Sequence, residues 1–369
     1  MTKVVFETST FADAIKKADK VAPKKGHAFD KAAGIVMEVD PNGPELVIVR
    51  ATNLEVYSME WVNILEWEGD AKIWRMPALF AQVVASLPIG SGKTVTLEDE
   101  GNIVHMRSGR TKARFYSLDS SYFPEWEAFD PDAMFPATDL GGRLTQVEWA
   151  SSKDEVPING VYLDGQYAVA TDRYRLAAVP LSIPGLEVPI TVPGGLLGQT
   201  LRQTGEVQIG VENQMLQIMP DEHTQIKCVI YSEKFPNING IMAREVPDKV
   251  TIHKTPLLEI MQRATNFATG DRIPSLKCFF GKQEIAVMMS NKEVGLLGDV
   301  VEVPGYCQHE RVEIKFTPKN IMDAISQAPN EQIDLYYDQS KALNLVYIDG
   351  GSGYRAWVVP RADLGNSDE

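Results

Sequence analysis

The chain has 369 residues, 44% apolar and 23% charged, and its 36 Lys+Arg against 50 Asp+Glu give a net charge of −14. At ~100–200 residues per domain this length predicts about two to four domains, and the composition excludes wholesale disorder. Runs of ~18 apolar residues are absent, Glu7, Asp13 and Asp19 interrupt the stretch where a leader would be apolar, and Cys228, Cys278 and Cys307 are too scattered for a disulfide framework or a CxxC metal site. A cytoplasmic chain with no membrane span and no leader is therefore expected.

The first predicted element is a helix in "STFADAIKKADKVAP". Thr10 with Asp13 three residues on fits a capping box, and Phe11, Ala14, Ile15, Ala18 and Val21 form an apolar stripe. A strand-like run, "ELVIVRATN", follows and ends at Ala51-Thr52-Asn53. Pro77 then opens a second amphipathic segment (Leu79, Phe80, Val83, Val84, Leu87), which stops at Pro88 before an alternating strand at Val95 and Leu97. Pro suits a helix start because its missing N–H would have no partner there.

The same series returns twice. "LTQVEWASSKDEVP" is a weaker opening helix, "YAVATD" ends at Ala170-Thr171-Asp172, and Pro193 precedes Leu196, Leu197 and Leu201. "TPLLEIMQRATNFATG" opens the last third, "EIAVMMSN" ends at Met289-Ser290-Asn291, and Pro318 precedes Ile321, Met322 and Ile325. The three triplets recur at intervals of 119 residues, close to one third of the chain. Each third thus reads as helix, strands, helix, strands, an α+β unit with helices on one face of antiparallel sheets. The Pro-rich stretches at 123–139 and 235–249 set domains of 1–128, 129–248 and 249–369.

Recognisable catalytic signals are missing. Gly90-Ser91-Gly92-Lys93-Thr94 resembles the end of a phosphate loop, but position 87 is Leu rather than Gly, and the segment reads as a helix-to-strand turn. His27, His105, His223, His253 and His309 show no metal-ligand spacing, and Glu98-Asp99-Glu100 reads as a solvated run. No GxSxG elbow or Cys–His arrangement stands out. Neither a metal nor a cofactor is predicted.

Two constellations point to binding instead. Lys16, Lys17 and Lys20 lie opposite the first apolar stripe, Lys24 and Lys25 follow, and other predicted helices add Lys153, Arg202, Arg263 and Lys319. These form either solvated helix faces or one sparse positive lining for an acidic polymer, gripping phosphates without reading bases. Arg173-Tyr174-Arg175-Leu176 leaves the second strand marker, either as an ordinary hairpin or as the lip of an apolar peptide groove.

The residues that carry both constellations resemble those of a known family, the bacterial sliding clamp or beta subunit of DNA polymerase III. The matching segments are "VYLDGQYAVATDRYRLAAVPL", "YSEKFPNINGIM", "SNKEVGLLGDVVEV", "FTPKNIMDAI" and "YRAWVVP". The likeness is specific in the last two thirds and weak in the first. It implies three clamp domains per chain and a head-to-tail dimeric ring around double-stranded DNA, held without sequence preference. It further implies tethering of a DNA polymerase and a clamp loader through short peptide motifs, with no catalysis by the clamp itself. The partner groove implied by the motifs is lined by Ile158, Thr171, Arg173, Tyr174, Arg175, Leu176, Pro236, Ile241, Ile273, Val358, Val359 and Pro360, and Phe115 and Phe267 fall at the implied dimer interface. Arg173 and Tyr174 replace the family's Gly and His, and "RADLGNSDE" follows Pro360 in place of Met-Arg-Leu. Two rival readings remain: a three-domain hydrolase with an unrecognised carboxylate site, and a protein-interaction scaffold that does not bind DNA.

Overall fold

The computed structural model describes residues 1–23, 32–39, 45–121, 123–125, 129, 134–202, 204–268, 275–291, 294–338, 340 and 345–361, with side chains left out at 282 and 304–311. The first third runs β1 (Lys3–Glu7), α1 (Thr8–Val21), β2 (Ile35–Val39), β3 (Leu46–Thr52), β4 (Val56–Asn63), β5 (Glu66–Glu68), β6 (Ile73–Met76), α2 (Ala78–Ala85), β7 (Thr94–Glu100), β8 (Ile103–Ser108) and β9 (Thr111–Tyr116). The second runs β10 (Phe135–Thr138), α3 (Leu140–Val147), a 3₁₀ turn (Glu148–Ala150), β11 (Val161–Leu163), β12 (Tyr167–Thr171), β13 (Arg175–Pro180), β14 (Ile190–Val192), α4 (Gly194–Thr200), β15 (Glu206–Glu212), β16 (Met215–Asp221) and β17 (Thr224–Val229). After a short α5 (Asn239–Met242) come β18 (Asp248–His253), α6 (Lys254–Phe267), β19 (Leu276–Asn291), β20 (Gly295–Phe316), α7 (Pro318–Ser326), β21 (Gln332–Tyr337), β22 (Val346–Gly351) and β23 (Tyr354–Val358).

Strand pairing repeats with the sequence. One eight-stranded antiparallel sheet has the order β10-β15-β16-β17-β4-β3-β2-β6, and a second has β18-β21-β22-β23-β13-β12-β11-β14. In both, the last strand of one third (β17 or β23) pairs with the strand after the Ala-Thr marker of the third before it (β4 or β13). A five-stranded sheet, β5-β1-β7-β8-β9, holds the pattern of β10-β15-β16-β17 on its own. In the β19–β20 sheet, Leu276–Phe280 pairs with Phe316–Val312 as β2 pairs with β6, and Glu284–Asn291 pairs with Glu302–Gly295 as β3 pairs with β4. The molecule therefore carries three copies of one α+β motif, as the recurring markers predicted.

Two compact units result: Met1–Gly142 with Ile183–Glu187 and Val192–Ser232, and Arg143–Ser182 with Val188–Thr191 and Glu233–Glu369. In the first unit, Phe6 stacks on Phe11 at 4.5 Å, Phe11 meets Phe80 edge-on at 6.2 Å, and Phe80 meets Phe115 edge-on at 5.2 Å. In the second, Phe280 stacks on Tyr337 at 4.5 Å, and the buried Tyr354 hydroxyl donates to the Ala324 carbonyl at 2.7 Å. Such rings bury large apolar areas and fix helix on sheet.

Several local expectations are corrected. A strand precedes the first helix of each third (β1, β10 and β18), where the sequence reading began with the helix. These strands have only 4–6 residues, too short for a periodic signal. The cap of α1 is Glu7, not Thr10, whose hydroxyl instead donates to the Glu7 carbonyl at 3.1 Å. α3 starts at Leu140 and ends at Val147, so the later part of "LTQVEWASSKDEVP" is a 3₁₀ turn and loop. Pro318 does open α7, whereas Pro77 and Pro193 sit one place earlier, at the caps of α2 and α4.

Candidate functional site

The segment after β12 is first of all a turn. The Thr171 hydroxyl donates to the Arg175 carbonyl at 2.8 Å and accepts from the Arg173 amide at 3.1 Å. The Asp172 carboxylate accepts the Tyr174 and Arg175 amides at 3.0 and 2.9 Å. Arg173 is forced to φ +76, the left-handed region that favours Gly. Thr52, Asn53 and Leu54 build the same turn in the first third, with bonds of 2.8–3.0 Å and φ +75 at Leu54. The recurring triplet thus encodes a hairpin device, and what the second copy presents at its tip is the functional question.

That tip stands over an apolar bed. Ile158, Val169, Leu176, Ala178, Phe235, Ile238 and Trp357 form a buried cluster, against which Tyr162, Tyr167, Ile241, Met242 and Tyr347 pack partly exposed. Tyr174 is 66% exposed and Val359 36% exposed, and the Val359 amide donates to the Tyr174 carbonyl at 2.8 Å. Pro236 is exposed, whereas Pro360 and Thr171 are buried. Leu176 and Val358 are also buried and support the bed rather than face a ligand. Ile273 lies outside the described residues. Arg175 is held from both sides, by Asp172 at 2.9 Å and Asp323 at 2.7 Å, and its guanidinium lies 5.3 Å from the Trp149 ring centre. Arg173 pairs with Glu155. Of the eleven described groove residues, Tyr174, Pro236 and Val359 are exposed apolar positions and Ile241 is half-buried against the bed, with Arg175 a fixed cation on the same turn as Tyr174.

The predicted basic lining is less uniform. Lys16 and Lys20 are exposed on α1, and Lys20 donates to the Gln199 carbonyl at 3.4 Å. Lys319 on α7 pairs with Asp323 at 2.9 Å, and Arg263 on α6 pairs with Asp299 at 2.5 Å. Lys153 and Arg202 are exposed but lie past the helices to which the sequence reading assigned them, because α3 gives way to its 3₁₀ turn and α4 ends at Thr200. Lys24 and Lys25 lie outside the described residues. Phe115 is the buried residue of β9 and meets Phe80 edge-on, and Phe267 is half-buried at the end of α6.

Lys17 has a role that the sequence did not indicate. Its ammonium reaches Glu60 of β4 at 3.2 Å and the Thr224 hydroxyl of β17 at 3.1 Å, with Asp221 at 3.7 Å and Asp13 at 3.8 Å. The Thr224 hydroxyl donates to the same Glu60 oxygen at 2.7 Å. Glu60 is only 3% exposed, and burial pushes its carboxyl up to about 7, with Lys17 and Thr224 pulling the other way. Partners 43 and 207 residues away in the chain leave no spacing signal.

Among the described residues, no group of three or more His, Cys, Asp or Glu could hold a metal ion, and no helix is long and apolar enough to cross a membrane. Cys228 and Cys278 are free and buried, and burial raises the Cys278 thiol to about 12. Gly90–Lys93 links α2 to β7, a helix-to-strand turn as predicted.

No family model matches the chain. It is 22% identical over 327 residues to the beta sliding clamp of Proteus mirabilis, covering 84% of this chain and 86% of that one. It is 22% identical over 297 residues to the beta sliding clamp of Halalkalibacterium halodurans, covering 74% and 76%. Among solved structures, the DNA polymerase III beta subunit of Thermotoga maritima matches with a TM-score of 0.83 at 22% identity, over 98% of this chain and all of that one. A sliding clamp from Pseudomonas aeruginosa bound to griselimycin matches with a TM-score of 0.81 at 16% identity, over 98% and 99%. The fold is that of the sliding clamps. In sequence the chain is a divergent relative of the DNA polymerase III beta subunit, as the motif resemblance indicated.

Proposed function

We propose that this chain is a sliding clamp. Two copies join head to tail, their six domains (1–128, 129–248 and 249–369 in each) close around double-stranded DNA, and the ring tethers a DNA polymerase. The observation that carries the proposal is the pair of half-sheets. β4 meets β17 and β13 meets β23, but their counterparts in the third position, the Gly295–Val303 part of β20 and β9, lie on separate sheets of one chain. Leu296 is 66% exposed and Val300 50% exposed on β20, and Tyr116 is 61% exposed on β9. Such edges invite pairing with another chain. Joining β9 of one copy to β20 of the next would complete a third eight-stranded sheet, and a heterologous contact that closes makes a ring. Phe115, on the buried face of β9, and Phe267, at the end of α6, would flank that joint.

Topology would then do what affinity does elsewhere. An acidic chain with sparse cations on its helices (Lys16, Lys20, Arg263 and Lys319) touches phosphates weakly and reads no bases, so it slides. Partners, namely the polymerase and a clamp loader, would lay a short apolar peptide over Tyr174, Val359, Pro236 and Ile241, with Arg175 positioned for a polar group. Tethering raises a partner's effective concentration at the primer end without any chemistry by the clamp. A cytoplasmic, cofactor-free protein follows from this reading.

The decisive test is retention. Protein equilibrated with a nicked circular plasmid at high concentration and then diluted should stay bound, and cutting the plasmid should release it. Equal loss from circular and linear DNA would refute encirclement. Substrate turnover would favour a hydrolase, and partner binding without retention on DNA a scaffold.

A further inference from the structure

The joint of β4 with β17 is a complete copy of something that the edge of β20 holds only in part. The marker residue Thr52 pairs with Tyr57 of β4, and the marker residue Ser290 pairs with Leu296 of β20, so Glu60 corresponds to Asp299. α1 and α6 each have 14 residues, in which Lys17 and Arg263 hold the same place. Lys17 reaches Glu60 at 3.2 Å, and Arg263 reaches Asp299 Oδ2 at 2.7 Å. One helix-to-strand ion pair is therefore built twice. In the first third a further member comes from across the ladder. Thr224, the first residue of β17, stands opposite Glu60 and donates its hydroxyl to the oxygen that Lys17 holds. The counterpart of β17 is β9. Each has 6 residues, opens with a threonine after a tight turn, and turns its first, third and fifth residues inward. Thr111 thus matches Thr224. The backbone of the edge gives a second sign. Past Glu60, the Trp61 amide donates across the joint to the His223 carbonyl at 2.9 Å. Among the described residues only β19 pairs with β20, and the matching Val300 amide turns back to Asp299 Oδ1 at 2.9 Å.

We propose that Arg263 and Asp299 are two members of a polar clasp whose third member is the Thr111 hydroxyl of a second copy of this chain. The inference rests on the reading that copies meet at β9 and β20, and it adds the register in which they meet. Thr111 stands opposite Asp299 and donates to the oxygen that Arg263 holds, while the Val300 amide passes from Asp299 to the Arg110 carbonyl, as Trp61 bonds His223. A slip of one residue would turn Thr111 to the other face of the sheet and lose the clasp. The same register sets Phe115 opposite Gly295, a large ring against a residue without a side chain, where the first joint sets Cys228 against Val56. Charge agrees with the pairing, since β9 exposes Lys112 and Arg114 and the facing part of β20 carries Asp299 and Glu302.

Sedimentation equilibrium of the full chain tests the clasp. A hydrogen bond to a charged group is worth about ten-fold in an equilibrium constant, so Thr111→Val should raise the dimer dissociation constant at least about ten-fold with an unchanged circular dichroism spectrum. Thr111→Ser keeps the hydroxyl and should stay within about three-fold of the parent. Cysteine pairs read the register. Opposed residues of a non-hydrogen-bonded pair have the spacing of a disulfide. Oxidation at high concentration should therefore link two copies of a Thr111→Cys, Asp299→Cys chain, and not of chains that combine Thr111→Cys with Leu297→Cys or Val301→Cys, with the parent as control for its own cysteines. A parent that stays monomeric at micromolar concentration would overturn the ring reading, and this inference with it. A dimeric parent whose Thr111→Val form dimerises as tightly, or whose copies link through Leu297→Cys or Val301→Cys in preference to Asp299→Cys, overturns the clasp alone.

Discussion

The buried carboxylate of Glu60 should make this protein less stable as pH rises through neutrality. Burial holds the Glu60 carboxyl near 7 in the folded chain against 4.5 for an unburied glutamate. The folded state therefore keeps a proton that the unfolded state has already released, and between those values stability falls with pH. At about 1.4 kcal/mol per pH unit, the span corresponds to about 3 kcal/mol, present below pH 4.5 and lost by about pH 7. Glu60→Gln removes the titration and still offers an oxygen to the Thr224 hydroxyl, while Lys17, a third exposed, keeps Asp13 and Asp221. Urea unfolding at pH 5 and pH 8 measures the difference. The parent should lose up to about 3 kcal/mol more than Glu60→Gln across that interval, and hydrogen exchange should localise the loss to the β4–β17 pair. Lys17→Met should act the other way, costing about 3–5 kcal/mol at pH 8, where Glu60 is left charged and unpaired, and much less at pH 5. Equal pH slopes in parent and Glu60→Gln would refute the reasoning.

Four further outcomes are expected. Light scattering of the parent should give about twice 40.9 kDa, and Leu296→Arg, which places a charge on the exposed edge of β20, should return the monomer mass; an unchanged mass would reject β20 as the joint. Tyr174→Ala should weaken a polymerase-derived apolar peptide by about 1–2 kcal/mol with the thermal midpoint unchanged, since the ring is 66% exposed, whereas Leu176→Ala should cost about 2–5 kcal/mol of stability instead. Lys16→Glu with Lys20→Glu should shorten retention on circular DNA and flatten its salt dependence, and a response independent of salt would leave both as solvated surface. Arg173→Gly relieves a left-handed residue worth about 1–3 kcal/mol and gives up only an exposed ion pair worth about 0–1 kcal/mol, so the thermal midpoint should rise; a fall would show that the Glu155 contact dominates.

What was legible in the sequence was what is local. The Thr-Asn and Thr-Asp turns use side chains to bond amides two and three residues on, so their recurrence could be read directly from the chain, and with it the three-fold motif. The Pro-led helices were visible for the same reason. Within the expected groove the division between bed and lip is not legible in the sequence, because whether Leu176 or Tyr174 faces outward depends on the tertiary packing around β13, whose pairing strand β23 lies near the end of the chain. Lys17 sits at helical spacing with Lys16 and Lys20 and reads as one of a set; only the return of β4 and β17 beneath α1 turns it inward to Glu60. The short strands β1, β10 and β18 have too few residues to alternate visibly, and tertiary pairing alone defines them.

The two joints within the chain bear on where a closed ring would open. At the first, Lys17 ties α1 to β4 and β17 through Glu60 and Thr224. At the second, Arg175 of β13 ties its own turn to α7 through Asp172 and Asp323. Each joint thus combines a strand ladder with a half-buried cation, and its two sides belong to one polypeptide, so reclosing costs no translational entropy. The proposed joint between copies would have a ladder and the apolar edge of Leu296 and Val300, and it would also have to offset an association cost of about 4–15 kcal/mol. Of the three kinds of joint, the proposed one between β9 and β20 would therefore be the weakest. A partner that opens the ring needs only to bind the first and last thirds in a geometry that separates them, leaving both internal joints intact. Cross-linking Tyr116→Cys to Leu296→Cys should then abolish exchange onto circular DNA, whereas a cross-link across β4 and β17 should leave it unaffected.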